Sequence, residues 1–187
     1  AYGEDRGRAV DERCLKEGTM PAPTHAQRVS ILVAGEETGG RFALVEMVEE
    51  RGAEAPRHLH HWEDETLYVL EGSLSVWVAG RWVEAPAGAA VFLARGVEHA
   101  LAVAADRARV LSFFAPAGFE GFYRELGAAS APDVERLVAT AARYGCEIVG
   151  PAPERFRGGG SPPGTTAHAT AREGKTQEEV RAGRDEK

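Results

Sequence analysis

Four side chains in this sequence have the types and spacing to hold a metal ion: His58, His60, Glu65 and, well downstream, His99. His58 and His60 stand i, i+2 in Arg57-His58-Leu59-His60. On a strand, successive side chains face opposite ways, so both imidazoles share one face and Leu59 takes the other. His61-Trp62-Glu63-Asp64 then supply a turn, and Glu65 opens the β-rich run Glu65-Thr66-Leu67-Tyr68-Val69-Leu70. By period two, Glu65 shares its face with Leu67 and Val69. A carboxylate on an apolar interior face is too costly to leave unpaired, and a metal ion would supply the missing charge. Imidazole together with carboxylate suits a divalent transition metal ion such as Fe, Ni, Mn, Co or Zn. Three histidines and one carboxylate leave two positions open on an octahedral ion, the mark of a catalytic rather than a structural site. His61 falls on the opposite face from its neighbours and is expected to stay clear of the ion.

The elements that position such a set must be strands, and here the sequence resembles a known family. Gly52, His58, His60, Glu65 and Gly72 match the first motif of the cupin superfamily at every anchor. The second motif is met by Gly88, Gly96 and His99, while Ala94 and Val103 stand where the family pattern has proline and asparagine. The resemblance covers roughly Arg28 to Leu126. It implies an all-β fold, a cupin jelly-roll β-barrel, with His58, His60, Glu65 and His99 as metal ligands and a homodimer as the assembly.

A second local resemblance assigns a branch. Pro116-Ala117-Gly118-Phe119-Glu120-Gly121-Phe122-Tyr123-Arg124-Glu125-Leu126 is similar to the aromatic helix that follows the barrel in single-domain, quercetin-dioxygenase-like cupins. The resemblance implies a metal-dependent dioxygenase acting on an aromatic or enolisable hydroxy-ketone. Glu65 would serve both as ligand and as the base that takes a substrate hydroxyl proton. The apolar pocket wall is expected from Leu67, Val69, Phe92, Leu101 and Phe113. Lys16, Lys175 and Lys187 are the only lysines and none lies in the barrel, which argues against a Schiff base. The fold also hosts oxygen-independent isomerases, decarboxylases and polyketide cyclases, and non-catalytic small-molecule binders, so these stay as alternatives.

Composition bounds the partners. With 187 residues, 43% of them apolar, the chain can bury one ordinary core, and a formal charge of −7 argues against a nucleic-acid or anionic-membrane surface. The charged start Ala1-Tyr2-Gly3-Glu4-Asp5-Arg6 lacks an apolar leader, and a cytoplasmic protein with a small-molecule substrate is expected. Cys14 and Cys146 lack metal-ligand spacing and read as free thiols.

Four segments follow from the pattern: an N-terminal arm over 1–27, the barrel over 28–116, a helical extension packing on it over 117–157, and a Gly/Pro-rich charged tail over 158–187 that is expected to be disordered. Strands are expected over 29–34, 42–48, 66–70, 73–78, 82–85, 90–93, 100–103 and 109–114, with Ala79-Gly80 as a tight hairpin. Helices are expected to end at Gly127 and to begin at Pro132 and stop at Gly145. Glu63 and Asp64 read as a solvated loop at the barrel mouth, Glu46 as ordinary outward alternation, and Trp77 and Trp82 as candidates for an outer sheet face, where aromatics commonly build a dimer contact.

Overall fold

The computed structural model describes residues 28–127 and 134–154. The N-terminal arm, the start of the second helix at Pro132, Cys14 and the tail lie outside them. The described chain runs β1 (Arg28–Val33), α1 (Gly35–Thr38), β2 (Ala43–Glu50), β3 (Glu54–His60), β4 (Asp64–Glu71), β5 (Ser73–Val78), β6 (Arg81–Pro86), β7 (Ala90–Leu93), β8 (His99–Val103), β9 (Arg107–Ala115), α2 (Glu120–Leu126), α3 (Val134–Arg143) and β10 (Cys146–Gly150).

Two five-stranded sheets face each other, one in the order β1-β2-β9-β4-β7 and the other β10-β3-β8-β5-β6. Every pairing among the described residues is antiparallel. This is a jelly roll, and its order follows from alternation. Glu65, Leu67 and Val69 on β4 are buried, as are Ala108, Val110, Ser112 and Phe114 on β9 and Ala43, Val45 and Met47 on β2. These faces meet Leu74, Val76 and Val103 from the second sheet to form the core. Each fully buried valine, leucine or phenylalanine contributes about 1.5–3 kcal/mol relative to exposure.

Two turns set the register near the site. Ala79 and Gly80 both take positive φ, 51° and 79°, as a two-residue hairpin between β5 and β6 demands. Gly72 turns from β4 into β5 with φ 75°, and a Cβ there would lie 2.0 Å from the Arg107 carbonyl oxygen. No side chain fits at that position.

The segment expected to be a helical extension is helix, helix and strand. α2 ends at Gly127, whose N–H donates to the Tyr123 carbonyl. α3 leads through Gly145 into β10, which pairs with β3 so that Cys146 stands opposite His60 and Ile148 opposite His58. The Cys-Glu-Ile-Val run is too short to announce itself as a strand; the exposed edge of β3 recruits it. The carboxylate of Glu120 accepts the N–H groups of Gly35 and Gly118 at 2.9 and 2.7 Å, tying α2 to α1. Among the described residues no helix is long and apolar enough to cross a membrane.

Candidate metal centre

β3 carries His58 and His60 with Leu59 turned outward between them, and β8 opens on His99, the direct cross-strand partner of His58. Glu65 comes from β4, in the opposite sheet. The turn before His99 is pinned to β3 by the Gly96 N–H, which donates to the His60 carbonyl at 2.7 Å. Ala94 keeps that turn without a proline, its carbonyl accepting the Val97 N–H at 3.1 Å. Val103 is buried in the core.

One ligand atom from each of His58, His60, Glu65 and His99 lies within 4.8 Å of the others, all buried. Glu65 Oε2 stands 3.5 Å from His60 Nε2 and 3.4 Å from His99 Nε2. His58 Nδ1 meets the Pro56 carbonyl at 2.7 Å and His99 Nδ1 the Val97 carbonyl at 2.9 Å. A carbonyl only accepts, so both Nδ1 atoms carry the proton and both Nε2 atoms are left to present lone pairs. His99 Nε2 is buried without a hydrogen bond. Lone pairs and a carboxylate oxygen thus converge on one point, an arrangement that calls for a cation. The donor set fits a divalent transition metal ion.

Burial, helped by the neighbouring imidazoles of His99 and His60, lowers the His58 pKa to about 3. Its ring is neutral at pH 7, as a ligand must be. Burial works to raise the Glu65 carboxyl, but the imidazoles of His60 and His99 outweigh it and hold the group well below the usual carboxylate range. The other carboxylate oxygen, Oε1, accepts a 2.5 Å hydrogen bond from Ser112 Oγ on β9.

Around His60 the wall is aromatic. Phe119 packs edge-on against its ring at 4.4 Å and Phe114 lies at 5.8 Å, with Phe122 and Tyr123 behind them. The Tyr123 hydroxyl donates to Met47 Sδ at 3.6 Å, and burial, then the nearby Glu65 charge, raises its pKa well above the ordinary phenol value. Burial likewise pushes the Cys146 thiol up, leaving it protonated.

Several expectations need correction. Phe92 is 64% exposed and Phe113 36%, so neither lines an interior pocket. The reason is strand phase: Glu65 points in, so Thr66 points out, and Phe92 and Phe113 are the register partners of Thr66 on the two adjacent strands. Phe113 stacks instead on Phe42 at 4.9 Å. Leu67 and Val69 do face inward, as core residues, and Leu101 is half-buried against the same core. Glu63 is not solvated; it is 1% exposed, enclosed by the α2 approach at Gly118. Asp64 is the outward member of that pair and binds the Arg95 guanidinium at 2.8 Å.

His61 turns away from the centre to Glu147 at 2.9 Å. Glu46 stands on the outer face beneath Arg109, which donates to it at 2.9 Å. Trp77 and Trp82 are cross-strand partners on the outer side of β5 and β6, with the Arg57 guanidinium 5.9 Å from the Trp77 ring centroid. Sequence reasoning missed Ser112 and Glu63. Ser112 left a signal, a lone hydroxyl on the apolar face Ala108, Val110, Phe114; Glu63 left none.

Residues 45–114 match the family described as "Cupin domain". The chain is 27% identical over 97 residues to quercetin 2,3-dioxygenase of Bacillus subtilis, an alignment that takes in 52% of this chain and 29% of that protein. It therefore spans under a third of the length of that curated relative. Among solved structures it is similar to the polyketide cyclase RemF of Streptomyces resistomycificus (29% identity, 51% of this chain and 70% of that one, TM-score 0.44). A RmlC-like cupin from Shewanella frigidimarina is also similar (23% identity, 51% and 81%, TM-score 0.45). Jelly roll, motif anchors and domain match agree: residues 45–114 form a cupin domain.

Proposed function

We propose that the protein is a metal-dependent dioxygenase of the quercetin 2,3-dioxygenase-like type, acting on an aromatic or enolisable hydroxy-ketone. The observation that carries the reading is the buried set of three imidazoles from one sheet and one carboxylate from the other, together with the sequence likeness to a quercetin 2,3-dioxygenase. His58, His60, Glu65 and His99 would hold one divalent ion, which supplies Lewis-acid polarisation of a substrate hydroxyl and, for a redox-active metal, electron chemistry with dioxygen.

The chain's own part is positional. His58 and His99 are locked by backbone carbonyls, so their Nε2 atoms need no reorganisation to bind. Glu65 Oε2 is the base that accepts the substrate hydroxyl proton, while Ser112 retains Oε1. Phe114 and Phe119, both buried, keep water from the His60 side.

Oxygen uptake with quercetin by the iron-, nickel-, cobalt- or manganese-loaded protein tests the assignment. Absence of turnover with every ion removes the flavonol assignment, and turnover under anaerobic conditions moves the protein to the isomerase, decarboxylase or cyclase class. The expected homodimer is part of the same reading, and we take the outer face of the first sheet as its contact. Leu44, Phe113, Thr66 and Phe92 form one row across four strands there, an apolar surface of the kind that marks interaction sites.

A further inference from the structure

Among the three site imidazoles His60 differs in what lies behind it. The Nδ1 atoms of His58 and His99 each meet a backbone carbonyl within 2.9 Å. His60 Nδ1 has no hydrogen-bond partner and is buried; so is Glu63 Oε2, and the two stand 3.8 Å apart. Both side chains are 2% exposed. A water bridging them at its own bond angle with two ordinary hydrogen bonds would hold the two atoms about 4.5 Å apart, wider than they stand. Closing by about 1 Å satisfies both atoms at once, and an unsatisfied buried group is strongly disfavoured.

We propose that Glu63 is the positioning residue of the metal centre: its carboxylate accepts the Nδ1–H of His60 and thereby turns the His60 Nε2 lone pair onto the ion. The inference rests on the metal reading above and extends it to a residue outside the ligand set. Loading Nε2 requires the proton on Nδ1, and a buried Nδ1–H requires an acceptor. Phe119 packs edge-on to the His60 ring, which leaves Glu63 as the acceptor in reach. Gly118 closes the other side: a Cβ at that position would fall 3.5 Å from Glu63 Oε1, so the approach to α2 holds the carboxylate against the ring.

The test has two arms. In metal-free wild-type protein with 15N-labelled histidine, long-range proton–nitrogen correlation spectra are expected to show His60 Nδ1 protonated, with its signal moved by Glu63→Gln and more strongly by Glu63→Leu. An unprotonated Nδ1 overturns the proposal, whether or not the variants fold. In the second arm cobalt(II) alone is titrated against a chromophoric chelator. Glu63→Leu is expected to weaken binding about tenfold to a hundredfold, with a changed visible spectrum, while Glu63→Gln, which keeps an acceptor oxygen, recovers most of the loss. Wild-type affinity and an unchanged spectrum in folded Glu63→Leu overturn it. If wild-type protein takes up no cobalt, the metal reading fails, and the tautomer spectra still decide the Glu63 contact.

Discussion

Ser112 Oγ on β9 donates to Glu65 Oε1 on β4 at 2.5 Å, leaving Oε2 alone to face His60 and His99. The two strands are neighbours, and both residues point into the barrel. A carboxylate that can rotate offers either oxygen to an ion. This one is held to a single choice.

Replacing Ser112 by alanine should therefore weaken metal binding by about one order of magnitude, because outer-shell partners of ligands typically carry tenfold to hundredfold effects. Thermal stability of the metal-free protein should change much less. Calorimetric titration with a divalent ion on both proteins checks this, and equal affinities would show that Glu65 needs no such restraint.

Chelation should lower the melting temperature, since an ion that binds the folded state alone stabilises it by about 4 kcal/mol at a thousandfold excess over Kd. His99→Ala should abolish the difference between the loaded and stripped forms. Scanning calorimetry with and without chelator reads both effects.

Stability of the metal-free protein should fall as the medium is acidified from pH 6.5. The folded-state pKa of His58 lies near 3, below its ordinary 6.5, so between those values the unfolded chain binds the proton and the folded one does not. Stability thus rises with pH across that window. Glu65 acts in the same direction, being held low in the folded state, so its contribution is present above the ordinary carboxylate range and is lost as pH falls through the folded value. Urea midpoints measured from pH 7 to pH 4 should decrease steadily; a flat profile would contradict the buried neutral imidazole.

Gly145→Ala should destabilise the protein by about 1–3 kcal/mol, as strain at a positive φ combined with steric overlap predicts. Gly145 has φ 69°, and a Cβ would meet the Trp62 ring at 2.4 Å. The same turn accepts the His61 N–H at its carbonyl and introduces β10 beside His60. Denaturant titration gives the cost directly.

Phe92→Glu should yield a species of 20.0 kDa, the mass of one chain, where the wild type should give twice that mass by light scattering. Charge at the centre of an apolar contact is costly, whereas on a free surface it is neutral. A wild-type protein that is already monomeric would remove the homodimer from the reading.

What the sequence determined by itself is local and periodic. The i, i+2 placement of His58 and His60, the carboxylate in phase with Leu67 and Val69, and the glycine frame from Gly52 to Gly72 name the ligand candidates and the barrel, because strand alternation and positive-φ turns depend on residues close in the chain. The structure brings those four candidates together. Only the tertiary fold decided which outward or loop residues became interior. Glu63 reads as a polar loop residue until α2, arriving more than fifty positions later, closes over it. β10 becomes a strand because β3 has an edge to fill. Phe92 and Phe113 look like pocket lining until register with Thr66 turns them out. Burial and register are set by partners distant in sequence, so no local pattern encodes them.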